Sequence, residues 1–132
     1  MSDVNLVLIL LAGGIGTRVN RKISKQMIMF NNLTVLELNI INFMKELKDV
    51  PIQVVTNDKD FLIVSEICNK YNLLLPVIGG NERHESTYNG IKSIKHINPK
   101  YVLIHDTARP IISSVVIKNL VGYSKKEVLC VA

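Results

Sequence analysis

Three short runs in this sequence carry residues whose types and spacing could do chemistry. The first is Leu11-Ala12-Gly13-Gly14-Ile15-Gly16-Thr17-Arg18, followed closely by Arg21, Lys22 and Lys25. Glycines lack Cβ, so backbone N–H groups in such a run can approach an anion closely. Arg18 and Lys25 set two cations beside the loop, which is more charge than one small anion needs and suits a triphosphate. The plainer reading is a tight strand–loop turn with solvated basic residues. The run is not a dinucleotide fingerprint: Val19 stands where the third glycine belongs, and Thr56 stands where an acidic residue should close the second strand. It is not a Walker A loop either, since Gly-Lys-Ser/Thr is absent.

The second run is Gly79-Gly80-Asn81-Glu82-Arg83-His84-Glu85-Ser86. Its glycines would let the chain pass close to a flat ligand, and Asn81 and Ser86 offer both donors and acceptors for a base edge. The competing reading is an ordinary loop into a helix, with Asn81 or Ser86 as the cap. The third run is His105-Asp106-Thr107-Ala108-Arg109-Pro110. A carboxylate ending a buried parallel strand is well placed to hold Mg²⁺; a local cap with an Asp106–Arg109 pair would explain it as well. His84, His96 and His105 show no metal-ligand spacing, and His105 reads as a packed, hydrogen-bonded residue. No Ser/His/Asp or Cys/His arrangement supports nucleophilic catalysis.

These runs need elements to position them, and the hydrophobic pattern supplies them. Val4 to Leu11 is a continuous aliphatic run, as expected of a strand buried on both faces. Thr34 with Glu37 fits a capping box opening a helix with Leu36, Ile40, Phe43 and Leu47 on one face. Ile52 to Thr56 reads as a second strand, and Phe61, Val64, Ile67, Cys68 and Tyr71 as a helix face. Leu73 to Ile78 reads as a third strand, followed by a helix with Tyr88, Ile91 and Ile94 inside. Asn98-Pro99 ends that helix, and Tyr101 to His105 is a fourth strand. Ser113 or Ser114 caps a helix through Val121, and Glu127 to Ala132 is a fifth strand. Alternation of strand and helix with short connections argues for an α/β domain with a parallel sheet of about five strands and helices on both faces. Ligands in such sheets bind at the carboxyl ends of strands, which is where all three runs fall.

The chain has 132 residues, which argues for one domain, and is 48% hydrophobic with 20% charged residues, which excludes disorder. It has no Trp and few aromatics, so the core must be aliphatic. The formal net charge of +5 is dispersed, and no nucleic-acid motif accompanies it. Cys68 and Cys130 lie far apart in apolar contexts and read as buried free thiols of a reducing compartment. The run Leu6 to Ala12 is too short to span a bilayer, and Met1-Ser2-Asp3 lacks a basic n-region. The expectation is a cytoplasmic protein with no membrane and no nucleic-acid partner.

Taken in order, the loop Leu11 to Arg18, then Lys25-Gln26, then Gly79-Gly80-x-x-Arg83-x-x-Ser86-x-x-Asn89-Gly90, then His105-Asp106-Thr107-Ala108-Arg109-Pro110 resemble the 2-C-methyl-D-erythritol 4-phosphate cytidylyltransferase family. They also resemble the sister enzymes that make CDP-ribitol from ribitol 5-phosphate. The resemblance covers essentially the whole chain. It implies a Rossmann-like, doubly wound fold of nucleotidyltransferase type. Residues 1–132 would be its nucleotide-binding, N-terminal part, with the C-terminal part missing. Further implied are CTP, a sugar-alcohol phosphate and Mg²⁺, and attack on the α-phosphorus of CTP with loss of pyrophosphate. Backbone groups at Ala12, Gly13, Gly14 and Gly16 would cradle the phosphates, with Arg18 and Lys25 as the catalytic cations. Gly80, Asn81 and Ser86 would recognise cytosine. Asp106 and Thr107 would lie near the ribose, with Asp106 on the metal.

The sequence departs from the family pattern in places. Ser24 replaces a proline, which is expected to loosen the loop carrying Lys25. Thr107 stands where alanine is usual, crowding a spot near the ribose, and Asn81 replaces a residue that is often acidic. Leu11-Ala12-Gly13-Gly14 is closer to the ribitol branch, whereas Ala108 and the Ser86 context favour methylerythritol phosphate as acceptor. The family also carries a dimer-forming arm and acceptor-binding residues that are not found here. The family suggests a homodimer. A nucleotide-binding fragment without turnover is therefore the reading from a different class.

Overall fold

The structure is a computed structural model and describes residues 6–13 and 24–107. Strand β1 (Leu6–Ala12) is its axis, buried from Val7 to Ala12. Alternation along the strand sends Leu8, Leu10 and Ala12 into one core and Val7, Ile9 and Leu11 into a second. That double burial explains why the run reads as continuously aliphatic. Strand β2 (Met29–Phe30) and β3 (Leu33–Thr34) form a small antiparallel hairpin. Its turn is Asn31-Asn32, both at positive φ, a conformation that asparagine tolerates. The hydrophobic pattern did not announce this hairpin; the Asn-Asn pair was the available signal.

Helix α1 (Val35–Glu46) starts at Thr34 with the expected capping box. The Thr34 hydroxyl accepts from the Glu37 N–H at 3.0 Å, and the Glu37 carboxylate accepts from the Thr34 N–H at 3.2 Å. Leu36, Ile40 and Phe43 are wholly buried, as the spacing predicts. Strand β4 (Ile52–Thr56) matches its expected bounds and pairs parallel to β1, from Leu8↔Ile52 to Ala12↔Thr56. Helix α2 (Phe61–Lys70) buries Val64, Ile67 and Cys68 in the core shared with α1. Burial pushes the Cys68 thiol up to about 11, which suits a packing residue and no thiolate chemistry.

Strand β5 is only Val77–Ile78, shorter than the expected Leu73 to Ile78. The segment before it still tracks β4: the Leu74 N–H donates to Ile52 O, and the buried Gln53 amide donates to Leu75 O at 2.7 Å. Pro76 has no N–H to give to a ladder, and the Gln53 side chain takes a carbonyl that a strand would use. Helix α3 (Arg83–Ser93) leads through a short 3₁₀ turn, Lys95–Ile97, and a left-handed Asn98 into strand β6 (Tyr101–Asp106). β6 pairs parallel to the other side of β1, from Leu6↔Tyr101 to Leu11↔Asp106. The expected helix from Ser113 or Ser114 and the fifth strand, Glu127 to Ala132, lie outside the described residues, as does Cys130.

The described sheet is thus fully parallel, in the order β5-β4-β1-β6. The chain steps outward from β1 to β4 to β5, then jumps back to the far side of β1. Right-handed crossovers then require α1 and α2 on one face and α3 on the other. The two cores agree: Leu36, Phe43 and Val64 lie in one, and Ile94 at the end of α3 in the other. Two expectations for α3 are corrected. Tyr88 and Ile91 are exposed rather than inside, at 64% and 44%. The face against the sheet is instead Ser86, Gly90 and Ile94, a stripe of mostly small residues that a search for apolar periodicity passes over. The N-cap is Glu82, not Asn81 or Ser86; its N–H donates to the Glu85 carboxylate at 3.2 Å.

Candidate functional site

Strand order reverses at β1, so the crevice outside the carboxyl ends of β1 and β6 is the topological switch point. Ala12 and Gly13 lie on one side of it, Asp106 and Thr107 on the other. Two buried polar networks fix these ends. In the first, the Gln26 amide donates to the Ala12 carbonyl at 2.8 Å and to the Asp60 carboxylate at 3.3 Å. The Asn57 amide donates to the Gly13 carbonyl and to the same carboxylate, each at 3.2 Å. The Asp60 N–H donates back to the Asn57 side-chain oxygen at 2.8 Å. Gln26 and Asp60 are almost fully buried, so the two Gln26 bonds are made away from bulk water, while those of Asn57 are partly buried.

The second network ties β6 to α1. His105 is wholly buried, tilted against the Phe43 ring, and its Nε2–H donates to the Asn39 side-chain oxygen at 3.0 Å. This bears out the reading of His105 as packed and hydrogen-bonded. The Asn39 amide donates to the Val35 and Thr107 carbonyls at 2.9 and 3.3 Å. Thr107 in turn donates to the Leu11 carbonyl through both its N–H, at 3.0 Å, and its hydroxyl, at 2.9 Å. Asn39 thus pins the residues on either side of Asp106. Strand alternation puts Asp106 on the α3 face with Val102 and Ile104, opposite His105.

Lys25 is exposed and opens a 3₁₀ turn, Lys25–Met27, in front of α1. Ser24 before it is buried at φ −62°, the value that a proline ring imposes. The Pro-to-Ser departure therefore keeps the local backbone geometry. Thr107 is fully buried with its hydroxyl spent on Leu11, so its extra atoms brace the strand end instead of crowding the rim. Gly14, Gly16 and Arg18 lie outside the described residues.

The third side of the crevice is built by close packing. A Cβ on Gly79 would come within 2.9 Å of the Ser86 Cβ and 3.0 Å of Val55, and one on Gly80 would collide with the Glu85 side chain. The two glycines therefore let the chain lie against the first turn of α3. Ser86 is buried there, while Gly80 and Asn81 are exposed. Asn89 donates to the Ile78 carbonyl at 3.2 Å. Gly90 lets α3 sit directly on the sheet: a Cβ there would meet Val55 at 2.9 Å and Ile9 at 3.1 Å. The carboxylates of Glu82 and Glu85 and the His84 ring converge within 4.8 Å of one another on the exposed surface. Capping by Glu85 and the 3.3 Å Glu82–His84 pair account for that grouping.

The residues missed from sequence are Asn39, Asn57 and Asp60, together with the buried role of Gln26. Their signal was faint: polar side chains next to strand ends, or on the apolar face of a helix. One more buried charge lies behind the site. Burial works to raise the Glu37 carboxyl, but Lys70 at 3.0 Å, Tyr71 at 2.9 Å and the Thr34 backbone donate to it and together hold it below its usual value.

Comparison with known proteins places this architecture. Residues 6–132 match the family model of IspD, 2-C-methyl-D-erythritol 4-phosphate cytidylyltransferase. The enzyme of that name from Clostridium beijerinckii is 40% identical over 121 residues, covering 89% of this chain and 53% of the relative. One from Clostridium botulinum is 35% identical over 123 residues, covering 89% and 52%. The crystal structure of 4-diphosphocytidyl-2C-methyl-D-erythritol synthase from Anaerococcus prevotii superposes with a TM-score of 0.73 at 27% identity, covering 92% of this chain and 51% of that one. The chain spans about half the length of the curated relatives it matches.

Proposed function

The chain belongs to the 2-C-methyl-D-erythritol 4-phosphate cytidylyltransferase family, and from that membership we propose that it transfers CMP from CTP to 2-C-methyl-D-erythritol 4-phosphate with release of pyrophosphate. The observation that carries the reading is the joint placement of Ala12–Gly13 and Asp106–Thr107 at the switch point, with Lys25 beside them. The chemistry is in-line displacement. A phosphate-monoester oxygen of the acceptor bonds to the α-phosphorus, the bond to the β-phosphate bridging oxygen breaks, and that oxygen leaves on pyrophosphate. No protein nucleophile is required; positioning and charge stabilisation suffice.

In this reading the backbone from Ala12 through Gly16 holds the triphosphate, and Arg18 and Lys25 stabilise charge at the α-phosphate. Gly80, Asn81 and Ser86 read cytosine, and Asp106 and Thr107 form the ribose side. Asp106 is the carboxylate for Mg²⁺. The donor set suits that ion, which takes one or two carboxylates with phosphate oxygens and keeps several waters. The Asp60 carboxylate, behind Ala12 and Gly13, is spent on two amides. Bound there, the metal would neutralise phosphate charge. We read the protein as cytoplasmic and, by family, homodimeric; among the described residues no helix is long and apolar enough to cross a membrane.

The test is pyrophosphate release from CTP with 2-C-methyl-D-erythritol 4-phosphate or with ribitol 5-phosphate. Release with the first supports the proposal. Release with ribitol 5-phosphate alone assigns the chain to the CDP-ribitol branch. CTP binding with no release from either makes it a nucleotide-binding unit without turnover.

A further inference from the structure

The buried Gln26 side chain reaches 14 positions back to the last residue of β1. It is 1% exposed, while its neighbour Lys25 is exposed. Both lie in one 3₁₀ turn, where successive side chains point about 120° apart. Burying Gln26 therefore obliges Lys25 to face elsewhere. The turn is closed on itself by the Met27 N–H donating to Ser24 O at 2.9 Å.

The other end of the contact is a peptide plane. A trans peptide holds its C=O and N–H on opposite sides. With the Ala12 carbonyl drawn inward to Gln26, the Gly13 N–H of the same plane faces the opposite way. Asn57 repeats the capture one residue later, at the Gly13 carbonyl. Asp60 accepts from both amides and so fixes which way each is flipped: only the NH₂ groups can face a carboxylate. A carboxylate locked in this way converts two flexible amides into oriented donors.

We propose that Gln26 is a positioning residue for the anion loop. It turns the Gly13 N–H outward and, through the shared 3₁₀ turn, sets Lys25 over the same rim, with Asn57 and Asp60 as its locks. For its ligand the inference rests on the function proposed above; for its geometry it does not. The link predicts that Gln26 and Lys25 act as one unit toward a polyphosphate.

The test is a double-mutant cycle in the 132-residue chain with Gln26→Met, Lys25→Ala and the pair. CTP binding is measured by calorimetry, and the Gly13 amide is followed by NMR. Gln26→Met is expected to weaken CTP about tenfold, the equivalent of one net hydrogen bond. The same change on the Lys25→Ala background is expected to do much less, because coupled residues are not additive. A residue that only supports the fold would give equal losses on both backgrounds, and that result overturns the proposal. So does a Gly13 amide resonance unmoved by Gln26→Met. Asn57→Ala, a half-exposed position, serves if Gln26→Met does not fold, with the same expected coupling and the same overturning result. If the unmodified chain binds neither CTP nor inorganic tripolyphosphate, the function proposed above fails, and the Gly13 amide alone decides the positioning role.

Discussion

The two walls of the crevice are held by opposite means. On the β1–β6 wall, side chains reach in: Gln26, Asn57, Asn39 and Thr107 capture the backbone carbonyls of Ala12, Gly13, Thr107 and Leu11. On the β5–α3 wall, side chains are left out: Gly79, Gly80 and Gly90 let backbone, helix and sheet come together. The first wall sets directions, which a charged, tetrahedral phosphate requires. The second sets how closely α3 and the Gly79-Gly80 segment lie against the sheet. The difference means that the walls break under opposite substitutions: one when polar atoms are removed, the other when carbon atoms are added.

The largest effect is expected on the packed wall. Gly90→Leu would drive carbon into Val55 and Ile9 and should cost about 3 kcal/mol, near the upper end for overpacking. Urea unfolding measures it, and a fully stable variant would mean that α3 can ride higher and that Gly90 does not set its distance from the sheet. On the hydrogen-bonded wall, Asn39→Ala removes the side-chain bonds to His105 and to the Val35 and Thr107 carbonyls and should cost about 2 kcal/mol. An insignificant change in the urea midpoint would show that the wall is held by something else. The smallest effect is expected behind the site. Glu37→Gln should cost about 1 kcal/mol at neutral pH, since it weakens bonds to a charged acceptor. Because the folded carboxyl lies below its unfolded value near 4.5, its contribution is present above that pH and lost as pH falls through the lower folded value. Glu37→Gln should therefore flatten the acid limb of the stability profile; an unchanged limb would contradict the assignment.

Legibility from sequence follows the same division. β1, β4 and α1 could be read because period and cap agree there: Thr34 and Glu37 mark the boundary, and Leu36, Ile40 and Phe43 mark the face. The glycine runs could be located as strand ends. What these glycines approach could not be read: Gly79 and Gly80 fold back on Ser86 and Glu85 at the start of α3, and Gly90 of α3 sits on Val55 and Ile9 of strands far away in sequence, contacts that no spacing rule states. Tyr88 and Ile91 misled for the same reason: a helix laid down on Gly90 buries its small residues, against the apolar pattern. The expected β5 is longer than the observed one because Pro76 and the Gln53 side chain interrupt a ladder that the aliphatic run alone would extend. Gln26, Asn57 and Asp60 were invisible as a group, since a hydrogen-bond network between residues 12 and 60 leaves no periodic trace.

The proposed function assigns phosphate to one wall and cytosine to the other. The measurement that tests it most directly is calorimetric binding of CTP, UTP, ATP and GTP with Mg²⁺ to the unmodified chain and to Lys25→Ala. The account predicts that CTP binds tightest, and that Lys25→Ala weakens CTP and UTP by the same factor, about 10-fold or more, leaving their ratio unchanged. Equal affinities for all four nucleotides, or a CTP-to-UTP ratio that collapses in Lys25→Ala, would contradict it.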